Sequence, residues 1–238
     1  MNTSWMHYLP IFTTVISLVF ASIVLSRARH RKRAWHLWWW GAGIVFYGVG
    51  TFTESWITLL GWNPVIFKSW YIAGALFGGA PLAQGTIWFL LQPKTAKRLT
   101  FIFLIFAAVA SVAIVLSPIN YDLVDYHLPN GDVFTWQWVR LFSPFINTYA
   151  LIFLVGGAIL SAYRFGKVAK TTDNKIAFDR FLGNVAITVG ALLPGFGGIA
   201  SRMGQTQWLY LGEIIGIIFI WIGFHLNVRR RDAIEPIK

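Results

Sequence analysis

Seven stretches free of Asp, Glu, Lys and Arg, at residues 1–26, 34–53, 69–93, 99–121, 141–163, 181–201 and 214–228, partition the chain. A helix rises 1.5 Å per residue, so about 20 apolar residues cross the hydrocarbon of a bilayer, and most of these stretches are that long. Of the 238 residues 56% are hydrophobic and 12% charged, against roughly 25% charged in an average soluble domain. The pattern predicts an all-α integral membrane protein, with helices near residues 8–26, 35–60, 66–91, 99–116, 138–163, 175–199 and 208–228. Together they form one transmembrane domain over residues 1–238.

The net charge of +11 is read through its placement. Arg27, Arg29, Arg31, Lys32 and Arg33 follow the first span; Lys94, Lys97 and Arg98 follow the third; Arg164, Lys167, Lys170, Lys175 and Arg180 follow the fifth. Arg229, Arg230, Arg231 and Lys238 follow the seventh, leaving only Lys68, Arg140 and Arg202 for the other side. The positive-inside rule puts the four basic groups in the cytoplasm, which gives an external N-terminus and a cytoplasmic C-terminus. The first segment lacks the basic start and small-residue cleavage site of a signal peptide, so it is expected to stay as the first helix. A basic run abutting a span points to anionic lipid and not to nucleic acid. With no cysteine, disulfides and thiolate metal sites are excluded.

Tryptophans gather at span ends, Trp35, Trp38, Trp39 and Trp40 on the inner side and Trp62, Trp70, Trp136, Trp138 and Trp208 on the outer, as interfacial anchors do. The longest connection, residues 117–137, carries Asn130-Gly131 between Tyr126 and Phe134. That is a hairpin signal, and a small external β-hairpin between helices four and five is expected. Its carboxylates Asp122, Asp125 and Asp132 read as solvent-exposed.

Self-comparison suggests a repeat. Trp70, Gly74, Gly78 and Gly85 match Trp208, Gly212, Gly216 and Gly223 at an offset of 138, and Leu25, Ser26, Arg29, Lys32 and Ala34 match Leu160, Ser161, Arg164, Lys167 and Ala169 at an offset of 135. A three-plus-one-plus-three arrangement follows, with repeats at 1–93 and 138–230 and helix 99–117 as connector. Glycine at helical spacing lets backbones approach closely in lipid, so helices three and seven should pack tightly. Pro81 and the Pro194-Gly195 pair predict a kink or a break in helices three and six.

Few groups could carry chemistry. Glu54 and Glu213 fall in the outer third of the membrane, Arg202 at the outer junction of helices six and seven, and Arg140 at the outer start of helix five. Ionisable groups at such depth face the bundle interior and pair. Glu54, Arg202 and Glu213, with Trp70 and Tyr71 as an aromatic wall, form the candidate ligand site; a structural ion-pair network is the other reading. Gln84, deeper in helix three, is expected to bond a neighbouring helix. His36 and His225 would be axial haem ligands only if helices two and seven adjoin; independent interfacial histidines are the favoured reading. No zinc-spaced histidines, nucleophile elbow, Walker loop or dinucleotide fingerprint occurs.

The seven-helix layout resembles the class that contains microbial opsins and sugar-efflux transporters. An opsin needs a lysine within helix seven, and residues 212–228 hold none, so covalent retinal is disfavoured. The transporters' Pro-Gln motif is absent, since Pro10 precedes Ile11 and Pro144 precedes Phe145. The run GWNPVIFKSWYIAGALFGGAPLAQGT, residues 61–86, resembles a pattern in uncharacterised bacterial seven-helix membrane proteins. That resemblance implies a bacterial inner-membrane location and supplies no activity.

The residues therefore favour a membrane-embedded protein that binds a small apolar or amphipathic ligand from outside, as carrier, receptor or sensor. A sensor would need a separate signalling partner. An accessory subunit of a larger membrane complex and a lipid-modifying enzyme with Glu54 or Glu213 as general base stay open beside it.

Overall fold

The computed structural model describes residues 5–228, so the basic residues Arg229, Arg230, Arg231 and Lys238 lie outside the described residues. Those described form seven helical segments: α1 (Leu9–Arg29), α2 (Trp35–Leu60), α3 (Pro64–Leu90), α4 (Pro93–Leu116), α5 (Gln137–Thr172), α6 (Lys175–Arg202) and α7 (Thr206–Val228). All but α2 are both long and apolar enough to cross a membrane, the pattern of a multi-pass membrane protein. With 26 residues, α2 has the length, about 39 Å. Its His36, Glu54 and five tryptophans, residues of interfaces and polar sites, lower its hydropathy.

Two compact units divide the chain, Met1–Phe153 and Leu154–Lys238. The division falls within α5, inside a π-wound stretch at Leu151–Val155.

In unit one the helices are apolar on their outsides and small on their contact faces. On α4, Phe101, Ile105, Val109 and Val112 are exposed, while Ala107, Ala110 and Ala113 are buried. A helix apolar on all sides belongs in lipid or in a core. Between α2 and α3 the backbones meet: a Cβ on Gly50 would lie 2.9 Å from the Gly74 Cα. On the other side of α2, Thr14 and Thr51 hydroxyls bond at 2.9 Å to α1.

The break expected at Pro81 is present, and it is larger than a kink. Regular winding in α3 runs over Pro64–Trp70, becomes π-helical over Tyr71–Leu76, and stops; the helix restarts at Ala80–Leu90 with Pro81 in its first turn. Proline has no N–H for the carbonyl four residues back and its ring clashes with it, so the first turn of a new helix is where it fits. Phe77 N–H reaches back five residues to Ile72 O at 2.9 Å, while Gly78 N–H bonds Gly74 O at 3.0 Å. Just before the break the Ala75 carbonyl takes bonds from α5, from Ser143 Oγ at 2.8 Å and from Asn147 Nδ2 at 3.4 Å. Interrupted backbone within a membrane is tolerated where neighbouring side chains satisfy it in this way.

The hairpin expected at Asn130-Gly131 is corrected by the structure: no strand occurs among the described residues, and a single antiparallel bridge joins Ile119 to Phe134. A type I′ hairpin turn needs positive φ at both central residues. Asn130 instead has φ −134°, and its side chain accepts from Asp132 N–H at 3.1 Å, opening a 3₁₀ turn over Gly131–Val133. The Asn side chain thus mimics a backbone turn in place of the hairpin turn.

In unit two α6 and α7 pack antiparallel along one seam. A Cβ on Gly190 would lie 2.6 Å from Gly216 O, one on Gly216 2.7 Å from Gly190 O, and one on Gly212 2.7 Å from Leu193 O. At Pro194 the expected kink or break takes a milder form, since α6 stays helical through it. The proline ring lies 3.0 Å from where a Gly216 Cβ would stand. Glycine there leaves room for both the ring and the carbonyl of Gly190 that it frees.

A substitution on this seam and one off it should differ in sign. Gly216→Val drives atoms into the Gly190 carbonyl and Pro194 ring and should lower stability by about 1–3 kcal/mol. Gly195→Ala meets nothing within 4 Å and should stabilise by up to about 1 kcal/mol through helix propensity. Thermal unfolding midpoints of both variants in detergent check the pair; a neutral Gly216→Val would refute the seam.

Candidate functional site

Glu54 sits near the end of α2, 1% exposed, and its Oε1 accepts a hydrogen bond from Trp70 Nε1 at 2.8 Å. Trp70 is the last residue of the regular α3 start, one position before the winding widens. The residue that grips the buried carboxylate is therefore also the one from which the π-helical stretch departs. π-Helical insertions occur often at functional sites. Tyr71, the first residue of that stretch, turns its ring edge-on to Trp70 at 5.9 Å and to Phe134 at 4.9 Å.

An aromatic box surrounds this pair. Phe67 lies 5.8 Å from Trp70, 5.1 Å from Phe134 and 5.7 Å from Trp62. Phe134 comes from the long connection, where it and Val133 are buried. The loop is thus a plug seated in the helix ends.

Polar bonds pin that plug. Gln137 Nε2 donates to Asp132 O at 2.9 Å, Asn120 N–H to Val133 O at 2.8 Å, and Thr135 N–H to Pro118 O at 2.9 Å. Arg140 pairs with Asp132 and donates to Gln137 Oε1 at 2.7 Å. From α3, Lys68 Nζ donates to Val115 O at 2.7 Å and Ser117 O at 2.9 Å. A cation at the last carbonyls of α4 complements the helix macrodipole.

Of the expected site residues, the structure brings Glu54, Trp70 and Tyr71 together in unit one. Trp70 acts there as a polar donor as well as an apolar wall. Arg202 is the last residue of α6 and Glu213 lies in α7, half-buried, both in unit two. The guanidinium of Arg202 lies outside the described atoms. Arg140 belongs to the loop lock.

Gln84 bonds neighbouring helices, as its depth in helix three implied. Fully buried, it donates to Thr100 Oγ1 on α4 and accepts from the Tyr149 hydroxyl on α5. Thr100 also accepts from Trp88 Nε1 at 3.0 Å and donates to Ala96 O at 2.8 Å. One hydroxyl offers one donor and two acceptor positions, and all three are used. The residues that sequence reasoning missed are Tyr149, Thr100, Ser143, Asn147 and Phe134. Ser143 and Asn147 carried a usable signal, two polar residues one helical turn apart on an apolar helix. Phe134 carried none.

No group of three or more His, Asp or Glu side chains that could hold a metal occurs among the described residues. His36 packs against Trp40 and Phe89 at 5.4 Å each. In unit two His225 borders an open apolar groove of about 260 Å³ with Ile218, Trp221, Ile222 and Leu226. Compared with known proteins, the chain matches no family model, no curated protein and no solved structure.

Trp70→Phe keeps an aromatic side chain, though a smaller one, and removes the donor to a buried carboxyl. It should cost about 1–3 kcal/mol, read as a lowered unfolding midpoint, while Trp138→Phe, at an exposed ring, should cost far less. Equal effects would show that the indole N–H contributes nothing at Trp70.

Proposed function

We propose that this is a seven-span membrane protein that binds a small apolar or amphipathic molecule, as carrier, receptor or sensor, at the end of unit one where Glu54 lies. The observation that carries the reading is the Glu54–Trp70 bond at the start of an interrupted membrane helix. Discontinuous helices commonly mark binding sites within membranes, and intramembrane carboxylates are costly and commonly functional. In this reading Glu54 supplies charge or a hydrogen bond, and Trp70 and Tyr71 supply the aromatic wall.

The N-out, C-in orientation belongs to the same proposal. It rests on the placement of the basic residues, which puts Glu54 on the external side. The three-plus-one-plus-three repeat also finds support: Gly74 and Gly85 of α3 face α2, while Gly212, Gly216 and Gly223 of α7 face α6. At two of the three matched positions, 74 with 212 and 85 with 223, the third helix of each half thus turns a glycine toward the second. Because Glu54 is 1% exposed, ligand entry requires the arm Pro64–Trp70 with its π-helical continuation to move about residues 77–79.

Purification in native nanodiscs, with intact mass spectrometry of what travels with the chain, identifies the ligand. Returned to the delipidated protein, that molecule should raise the unfolding midpoint. Glu54→Gln keeps an oxygen for Trp70 and should stay folded, yet lose most of that stabilisation. Undiminished stabilisation in Glu54→Gln would remove Glu54 from the site. Stoichiometric protein partners and no small molecule would replace the reading by an accessory subunit.

A further inference from the structure

We propose that the basic end of unit one is a docking surface for anionic phospholipid headgroups. Two sets of cations make it, Arg29, Lys32 and Arg33 after α1 and Lys94, Lys97 and Arg98 at the start of α4, all six exposed. The fold brings the sets to one end. The Trp35 ring at the start of α2 lies 5.9 Å from that of Trp88 near the end of α3, and Trp88 bonds Thr100, one turn along α4 from Lys97.

Carboxylates are scarce in the described helices of unit one. From Trp5 to Leu116 the only carboxylate is Glu54, 19 residues along α2 from Trp35 and so about 28 Å of helix away. Helix stability does not explain the placement either. Lys94, Lys97 and Arg98 stand at the N-terminal end of α4, where the macrodipole disfavours cations, with no acid in the first turn. The turn before α2 is equally costly, since Arg33 holds a φ of +61°, a left-handed conformation uncommon for a residue with a side chain.

An anion from outside the chain resolves these oppositions, and the neighbouring rings say which. Trp35 is 55% and Trp38 42% exposed, and such amphipathic rings lie at the level of lipid headgroups. A diffusing nucleic acid or acidic protein has no use for tryptophans set beside a membrane span. A lipid phosphate meets the cations while its glycerol and upper acyl carbons meet the indoles. Unit two differs, because its basic stretch from Arg164 to Arg180 includes Asp173 and Asp179.

The test titrates the full chain in detergent with phosphatidylglycerol and with phosphatidylcholine and counts retained lipid by native mass spectrometry. Each cation at an anionic lipid surface contributes a factor of about five. The triple variant Lys94→Gln, Lys97→Gln, Arg98→Gln should therefore weaken phosphatidylglycerol binding roughly a hundredfold and leave phosphatidylcholine binding unchanged. The variant Arg164→Gln, Lys167→Gln, Arg180→Gln removes as much charge from unit two and should change it far less. Equal affinity for the two lipids, or equal losses in the two variants, overturns the proposal. Should the first variant not fold, wild-type phosphatidylglycerol binding must still fall steeply with salt, and binding indifferent to salt overturns it as well.

Discussion

Inside a bilayer no water is at hand for a backbone N–H or C=O, so every departure from regular helix must be repaired by another part of the protein. The interruption of α3 at residues 77–79 is the largest such departure in unit one, and much of that unit's polar chemistry is arranged around it. Ser143 and Asn147 of α5 repair the Ala75 carbonyl. Gln84 ties the lower arm to α4 and α5. Trp70 and Lys68 tie the upper arm to α2 and to the end of α4. Each arm has its own anchors, so the break is a joint between two fastened pieces.

Within each unit the helices are otherwise held by shape. Lipid tails are as apolar as leucine, so helices gain little from hiding apolar side chains from them, and close backbone contact takes over. Gly50 against Gly74 in unit one and Gly190 against Gly216 in unit two are expressions of that rule. A backbone-to-backbone contact cannot relax by turning a side chain. It fixes α2 against the upper arm of α3 at one level, near the level at which Glu54 is gripped.

The sequence disclosed what depends on composition and period, and concealed what depends on a single local contest. All seven helices are legible from uncharged runs because a bilayer imposes their length; α2, rich in tryptophan, is the one whose hydropathy alone does not mark it as a span. The glycine rows pointed to close packing, though only the structure shows α3 closing on α2 and α7 on α6. The loop was misread for a definite reason. Asn130-Gly131 suits both a hairpin turn and an Asn-capped 3₁₀ turn, and burial of Val133 and Phe134 against α3 goes with the second. Within the candidate site Glu54 stood out as a charge in an apolar run. Its bond to Trp70 could not be read, because tryptophan at a span end already has a sufficient explanation as an anchor.

A closed carboxylate is compatible with a binding site if opening is cheap relative to binding. Two of the upper-arm anchors involve an ionisable side chain, Glu54 with Trp70 and Lys68 with the end of α4, and bonds of this kind contribute about 1.5–3 kcal/mol each when the group is ionised. Releasing both would cost roughly 3–6 kcal/mol, a spontaneously open fraction of about 10⁻² to 10⁻⁵. A ligand whose contacts with the open arm are of micromolar strength gains about 8 kcal/mol, enough to offset that cost and hold the arm open. Apparent affinity is then the intrinsic affinity reduced by the open fraction. In the proposed binding reading, the anchors that keep the empty protein closed therefore also set how much ligand is needed to open it, and Glu54, which fastens the arm and would meet the ligand, contributes to both.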